Sequence, residues 1–333
     1  MKAAWYDDKG PARDVLQVGD LPKPGVRAGE VLVRIHASGI NPSDTKSRSG
    51  AGARPNIFPR VIPHQDGAGV IEAVGEGVDA GRIGERVWVY EAQLGRPFGC
   101  AADYTSVPAI NAVPLPATTS FEEGACLGVP TLTAHYCVTA DGPLEGKFVL
   151  VTGGAGAVGF YAVQFARQEG ATVIATVRTE EQARVAREAG AHHILYRLKD
   201  DMVAGIAGIT GVRDGRGIDR IVDVAFGANL DTSLKVLKTN GVIASYASDQ
   251  TPVPALPFWQ LLRLNATVRY VLVYAMSREA HARAIAAVTD GLANRTLKHN
   301  IAARFALDRI VDAHEALESG KTVGKIIIAM DAN

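Results

Sequence analysis

The chain has 333 residues, 47% hydrophobic and 21% charged, a length that suggests about two domains, each able to bury its own core. Lysine plus arginine and aspartate plus glutamate both number 35, so the formal charge is zero and the overall field of a nucleic-acid or acidic-membrane binder is missing. The 35 glycines and 6% aromatics fit an ordinary α/β protein and exclude a fibrous or disordered one.

The N-terminus reaches Asp7 and Asp8 before any apolar stretch can form, so no signal peptide is expected. Up to about residue 115 the chain reads as short strands broken by glycine and proline. Strands are predicted over 31–37, 69–78 and 84–90, and this spacing points to a β-rich module. The pattern changes near residue 120. Thr119-Ser120 ahead of Phe121-Glu122-Glu123 predicts a helix running over 121–140. A buried strand over 148–152, a helix closed by Gly170 and a strand over 172–177 follow. Thr179-Glu180-Glu181-Gln182 then forms a capping box for a helix ending at Gly190. Strands over 218–224 and 241–245 continue the alternation, which predicts a doubly wound parallel sheet. The tail reads as a strand over 266–274, a helix over 278–292 and a strand over 325–329. No segment approaches the ~20 apolar residues of a membrane span. Cys100, Cys126 and Cys137 show no Cys-x-x-Cys spacing, and they read as small packing residues in a reduced, cytoplasmic protein.

Gly154-Ala155-Gly156-Ala157-Val158-Gly159 completes a G-x-G-x-x-G string. It follows a predicted strand and opens a predicted helix, the context in which the string binds a dinucleotide. The glycines let the backbone approach a pyrophosphate, and the helix N-terminus offers it unpaired N–H groups. NAD-binding units place an acid at the end of the second strand, whereas this strand ends Val177-Arg178. An arginine there suits a 2′-phosphate and favours NADPH.

The chain as a whole resembles the quinone oxidoreductase and ζ-crystallin branch of the medium-chain dehydrogenase/reductase superfamily. The likeness rests on Gly39-Ile40-Asn41-Pro42-Ser43-Asp44, on Asp66 with Ala68 to Gly75, and on Gly128-Val129-Pro130-Thr131-Leu132-Thr133-Ala134. Further support comes from the glycine loop with Gln164 and Arg167, from Asp312-Ala313-His314-Glu315 and from Gly324-Lys325. The resemblance implies a GroES-like β-rich catalytic domain, residues 1–122 and 299–333, around a Rossmann NADP-binding domain, residues 123–298. It implies a homodimer, or a tetramer built from dimers, with the strand near 266–274 pairing across the interface.

Position by position, the resemblance implies Asn41 near the nicotinamide ribose and the substrate, and Thr131 at the nicotinamide end. Gly154 to Gly159 would wrap the pyrophosphate, and Arg178 would meet the 2′-phosphate with Tyr196 or Arg197. Gly227, the stretch Tyr246, Ala247 and Ser248, and the pair Leu272 and Val273 would border the nicotinamide. Lys46 stands where relatives often carry tyrosine, and a cation there removes a stacking surface and points to a different or an anionic acceptor. The zinc positions of the superfamily fall in the stretch Asn41 to Asp44 and at Gln65. Neither holds a cysteine or histidine, and His64 alone cannot complete a tetrahedral site, so no metal is expected.

Without a Lewis acid, the acceptor must already be electron-poor. The reading is a zinc-independent, NADPH-dependent reductase of quinones. The alternatives are an enone or enal double-bond reductase on the same scaffold, and a non-catalytic NADPH-binding protein with a structural or RNA-binding role. The zero net charge argues against nucleic acid.

Overall fold

A computed structural model describes residues 1–51 and 58–330. The chain divides into two units, Met1–Val129 with Ile285–Asn333 and Pro130–Ala284.

In the first unit, β1 (Lys2–Trp5) and β2 (Gln17–Asp20) pair antiparallel across the single turn α1 (Ala12–Val15). The central strand is β3 (Glu30–Ile40), longer than predicted. It leads into α2 (Pro42–Ser49), with Asn41 at the N-cap, proline at the first helical position and Gly50 closing the helix at φ +84°. Next come β4 (Asp66–Val74), β5 (Arg86–Val89), β6 (Tyr104–Pro108) and β7 (Ala112–Pro114). Strand β4 runs antiparallel along one edge of β3, and β6 occupies the first part of the other edge.

The helix predicted over 121–140 is two helices. α3 (Phe121–Gly124) is fastened by a true capping box: Ser120 Oγ accepts from the Glu123 N–H, and the Glu123 carboxylate accepts from the Ser120 N–H at 2.7 Å. α4 (Val129–Thr139) starts afresh. Gly128 between them has φ +64°, and a Cβ there would collide with the Asp66 carboxylate. The break is therefore set by a residue of β4 that is distant in sequence, which local periodicity cannot report.

The second unit alternates strand and helix: β8 (Phe148–Val151), α5 (Ala157–Gln168), β9 (Thr172–Val177), α6 (Glu180–Ala189), β10 (His193–Tyr196) and α7 (Met202–Thr210). It continues with β11 (Ile218–Asp223), α8 (Phe226–Val236), β12 (Leu237–Ser245), α9 (Phe258–Arg263) and β13 (Thr267–Tyr270). The six strands form one parallel sheet in the order β10-β9-β8-β11-β12-β13. The order reverses between β8 and β11, and such a switch point opens a crevice at the carboxyl ends of the strands. Leu150, Ile174, Ile221 and Ile243 from the sheet pack with Ile206 of α7 and with Phe226, Leu230 and Leu234 of α8. Each such side chain contributes about 1.5–3 kcal/mol by leaving water. The strand predicted over 266–274 keeps only β13, because the chain turns into a 3-10 segment at Val273–Ala275.

The helix α10 (Arg278–Ala293) brings the chain back to the first unit, where β14 (Ile301–Ala306), α11 (Ile310–Glu318) and β15 (Lys325–Ala329) complete it. Strand β15 pairs with β3 over Ala37–Ile40, beyond the part of that edge taken by β6. Strands β3 to β7 from the N-terminal part of the chain and β14 and β15 from its C-terminal part thus share one seven-stranded sheet. The two crossings between units fall at the head of α4 and inside α10, displaced from the expected 122/123 and 298/299.

Candidate cofactor and acceptor site

The glycine loop joins β8 to α5, and its three glycines have different jobs. A Cβ on Gly154 would lie 2.7 Å from the Ala175 Cβ of β9, and one on Gly159 would collide with the Gly153 carbonyl. These two glycines let the loop lie against the sheet and the helix against the loop. Gly156 is exposed, and its nearest neighbour would be the Gly153 oxygen at 3.3 Å. It is the glycine that keeps open space over the helix N-terminus, where the first-turn N–H groups of α5, from Ala157 onward, have no intrahelical partner. Ala155 is buried, and Val158 is half-buried in that first turn.

The loop is tied across the switch point. Thr152 Oγ1 donates to Asp223 Oδ1 at 2.8 Å and accepts from the Val224 N–H at 2.9 Å. Asp223 Oδ1 also receives the Ala225 N–H and the Asn229 Nδ2–H. Its other oxygen is buried and has no partner among the described residues.

Arg178 follows the last residue of β9 and is exposed. The register pairs Val177 with Tyr196, and the Arg197 N–H donates to the Val177 carbonyl at 2.9 Å. The structure therefore brings Arg178, Tyr196 and Arg197 to one rim of the sheet. Lys199 lies 5.2 Å from the Tyr196 ring centre, and a hydrogen bond to Glu180 pushes the Tyr196 phenol up. The capping box predicted here is modified: Thr179 Oγ1 accepts from the Gln182 N–H, but the Gln182 side chain accepts from Arg178, one residue further back.

Gly227 is the second residue of α8, and its N–H donates to Ser248 Oγ at 3.0 Å. Tyr246 and Ala247 are fastened to the same corner by the Tyr246 N–H to the Asp223 carbonyl and the Phe226 N–H to the Ala247 carbonyl. Tyr246, Ala247, Ser248 and Leu272 line a cavity of about 480 Å³ together with Phe226 and Tyr270. Val273 is buried beside it and does not line it. Thr131 lies in α4, fully buried, and its Oγ1 has no partner among the described residues.

In the first unit Asn41 is 1% exposed. Its Nδ2 donates to Asp66 Oδ2 at 2.8 Å, and its Oδ1 accepts from Lys325 Nζ at 2.5 Å. Lys325 also reaches Asp66 Oδ2 at 2.8 Å, and Asp66 Oδ1 accepts from the Val129 N–H at 3.0 Å. Asp44, in α2, accepts from the Asn41 and Gln65 N–H groups, and burial followed by the nearby Asp66 charge pushes its carboxyl up to about 7. Lys46 projects from the same helix and is half-buried.

His64 has both ring nitrogens engaged: Nδ1 with Ser38 Oγ at 2.8 Å and Nε2 with His314 Nε2 at 2.9 Å. Burial holds both imidazoles neutral, His314 down to about 3. Among the described residues no group of three or more histidines, cysteines or acids stands together as a metal site. Sequence reasoning missed the Asn41–Asp66–Lys325 cluster and the histidine pair. The only local signal was a lysine heading the isoleucine run of β15, which an isolated strand would not bury.

The family profile for the alcohol dehydrogenase GroES-like domain matches residues 27–117, and that for zinc-binding dehydrogenase matches residues 157–290. The mouse quinone oxidoreductase is 31% identical over 98% of this chain and 96% of its own. A 2-haloacrylate reductase from a Burkholderia species is 28% identical over 100% and 99%. The Escherichia coli quinone oxidoreductase, solved with NADPH, superposes with a TM-score of 0.86 at 28% identity over 99% of this chain and 100% of that one. The chain belongs to the quinone oxidoreductase family of the medium-chain dehydrogenases/reductases. It is an oxidoreductase of small molecules, and among the described residues no helix is long and apolar enough to cross a membrane.

Proposed function

We propose that the protein is an NADPH-dependent, zinc-independent reductase that passes a hydride to quinones, working in the cytoplasm as a homodimer. The observation that carries the cofactor reading is the glycine loop, with Gly156 open at the head of α5, together with Arg178 and Arg197 on the rim beside it. When bound, NADPH supplies the hydride. The residues of the chain bind and orient it: the loop would take the pyrophosphate on backbone N–H groups, and the arginines would take the 2′-phosphate by charge-assisted hydrogen bonds. Thr131 would offer its unpaired hydroxyl at the nicotinamide end. Zinc independence is supported by the chemistry at the metal positions, where Gln65 replaces a ligand and His64 spends both nitrogens on Ser38 and His314.

The second reading is reduction of an activated alkene. The 2-haloacrylate reductase among the relatives acts on an anionic acceptor, and Lys46 supplies a cation on α2. The deciding assay follows oxidation of NADPH and NADH with 1,4-benzoquinone, 9,10-phenanthrenequinone, a small enone and 2-chloroacrylate. Quinone turnover with NADPH preferred is the expected outcome. Turnover of the alkenes alone would replace the quinone reading, and binding of NADPH without any turnover would leave only a non-catalytic role. In the same assay Arg178→Gln raises KM for NADPH by about tenfold and leaves NADH unchanged, the loss expected for a charge-assisted hydrogen bond. Equal loss with both cofactors would sink the arginine assignment.

A further inference from the structure

The cavity at the end of the parallel sheet has a lining that selects what can enter it. All of that lining belongs to the second unit. Ser245 ends β12 and Tyr270 ends β13, so the cavity lies at the carboxyl ends of these strands, about 10 Å or two strand spacings from the switch point between β8 and β11. The corner that builds it also ties the glycine loop. Phe226 and Tyr246 are fastened to Ala247 and Asp223, and Asp223 holds Thr152. With Arg178 at the end of β9 taking the 2′-phosphate, a dinucleotide crossing the switch point would run from β9 towards β11 and β12. Its reducing end would then arrive on the cavity side.

The volume, about 480 Å³, is that of a small-molecule pocket. The lining contains no aspartate, glutamate, lysine, arginine or histidine. Its two serine protons are already spent. Ser248 Oγ donates to the Thr251 carbonyl at 2.6 Å, and Ser245 Oγ to the Asp223 and Ala247 carbonyls, both at 3.2 Å. Phe226 and Tyr270 stand edge to face, with ring centres 5.5 Å apart and planes at 80°, while Val253, Pro254 and Leu256 add aliphatic surface. Aromatic side chains set in this way favour a third ring, stacked on one or meeting it by the edge. An anion entering the cavity would give up its water and find no cation in exchange, whereas an uncharged ring gives up little.

We propose that this cavity is an acceptor subsite for an uncharged fused aromatic ring, beside the nicotinamide and separate from its seat. The proposal rests on the reductase reading above and adds the acceptor class to it: polycyclic quinones, and not small anionic alkenes.

The test uses naphthalene, which has the ring system without a reducible group, and 1-naphthoate, the same rings with a carboxylate. Binding to the full chain is followed by saturation-transfer NMR and calorimetry, with and without saturating NADPH. Naphthalene should bind in both cases and be displaced by 9,10-phenanthrenequinone, and 1-naphthoate should bind about tenfold more weakly or worse. Leu256→Asp, at a position 52% exposed, should weaken naphthalene and raise KM for 9,10-phenanthrenequinone by about tenfold each. The dissociation constant for NADPH should stay unchanged.

Equal binding of naphthalene and 1-naphthoate would overturn the proposal, as would wild-type behaviour of Leu256→Asp. Displacement of naphthalene by NADPH would give the cavity to the nicotinamide instead. No binding of naphthalene, with Leu256→Asp turning a dimer into monomers, would show that a second copy covers the cavity, and it too would overturn the proposal. Should Leu256→Asp fail to fold, Val253→Asp, at a position 89% exposed, decides by the same readings. If wild type turns over no acceptor, the reductase reading fails and the acceptor role with it, while naphthalene binding still reports separately whether the cavity takes an uncharged ring.

Discussion

Glycines 156 and 159 belong to one motif, yet the structure separates what they do. Gly159 has the Gly153 carbonyl where a methyl group would stand, so Gly159→Ala forces helix and loop apart. Overpacking of this kind costs about 1–3 kcal/mol. Gly156 sits at the N-cap with φ −74°, a conformation open to any residue, and faces open space. Gly156→Ala should cost less than about 1 kcal/mol, the usual difference between glycine and alanine at this cap. It should nevertheless weaken NADPH binding if, as proposed, the pyrophosphate lies over the loop, because its methyl group enters that space. Urea midpoints and NADPH titrations on both variants check the split, and equal effects on stability would show that the motif packs as a unit. The motif was fully legible in the sequence, but this division of labour was not, since it depends on what lies opposite each Cα.

At the scale of elements, the edge of the parallel sheet stands out. β13 has no neighbour on its outer side among the described strands. Phe258, Trp259 and Leu262 of the preceding α9 and Tyr270 of β13 itself are more than half exposed. An edge strand flanked by large apolar side chains invites pairing with another strand, and the proposed homodimer places a second copy there. Sedimentation velocity should find wild type as a dimer and Trp259→Arg shifted towards monomer, while a monomeric wild type would remove the dimer from the reading. The sequence indicated a strand here from its composition, though it overstated the length. The end of β13 is decided by the chain turning at Val273, not by the apolar residues that continue to Tyr274.

Across the whole molecule, two buried features pull stability in opposite directions over one pH range. The unfolded chain protonates its histidines below about pH 6.5, whereas folded His314 does so only near about 3 and His64 is also held well down. The stability tied to the neutral pair is present above the unfolded value and is lost as pH falls through this window. Asp44 runs the other way. Its folded carboxyl, at about 7, takes up a proton before the unfolded one near about 3.9, so its contribution is present in acid and is lost as pH rises through about 7. Asp44→Asn removes this offset. Between about pH 7 and pH 5 the variant should lose about 2 kcal/mol more stability than wild type over the same interval, by proton linkage. Urea unfolding at the two pH values measures this, and parallel losses would rule out Asp44 as the opposing group.

By itself the sequence determined the alternation of strand and helix, the dinucleotide loop, the arginine after the second strand and the family. Each of these is a short-range pattern: glycines in a tight turn, apolar periodicity, a residue at a strand end. Arg178 and the loop could be singled out as candidates because they lie in such patterns, whereas Asn41 was singled out only through the family resemblance. Tertiary structure alone decided the rest. Gly128 breaks a helix because Asp66 of β4 occupies the space its side chain would need. His64 is spent on a serine in β3 and a histidine in α11. Lys325 meets Asn41 only because β15 returns to pair with β3. A buried charge takes its partner from wherever the sheet brings one, and sequence spacing carries no record of that meeting.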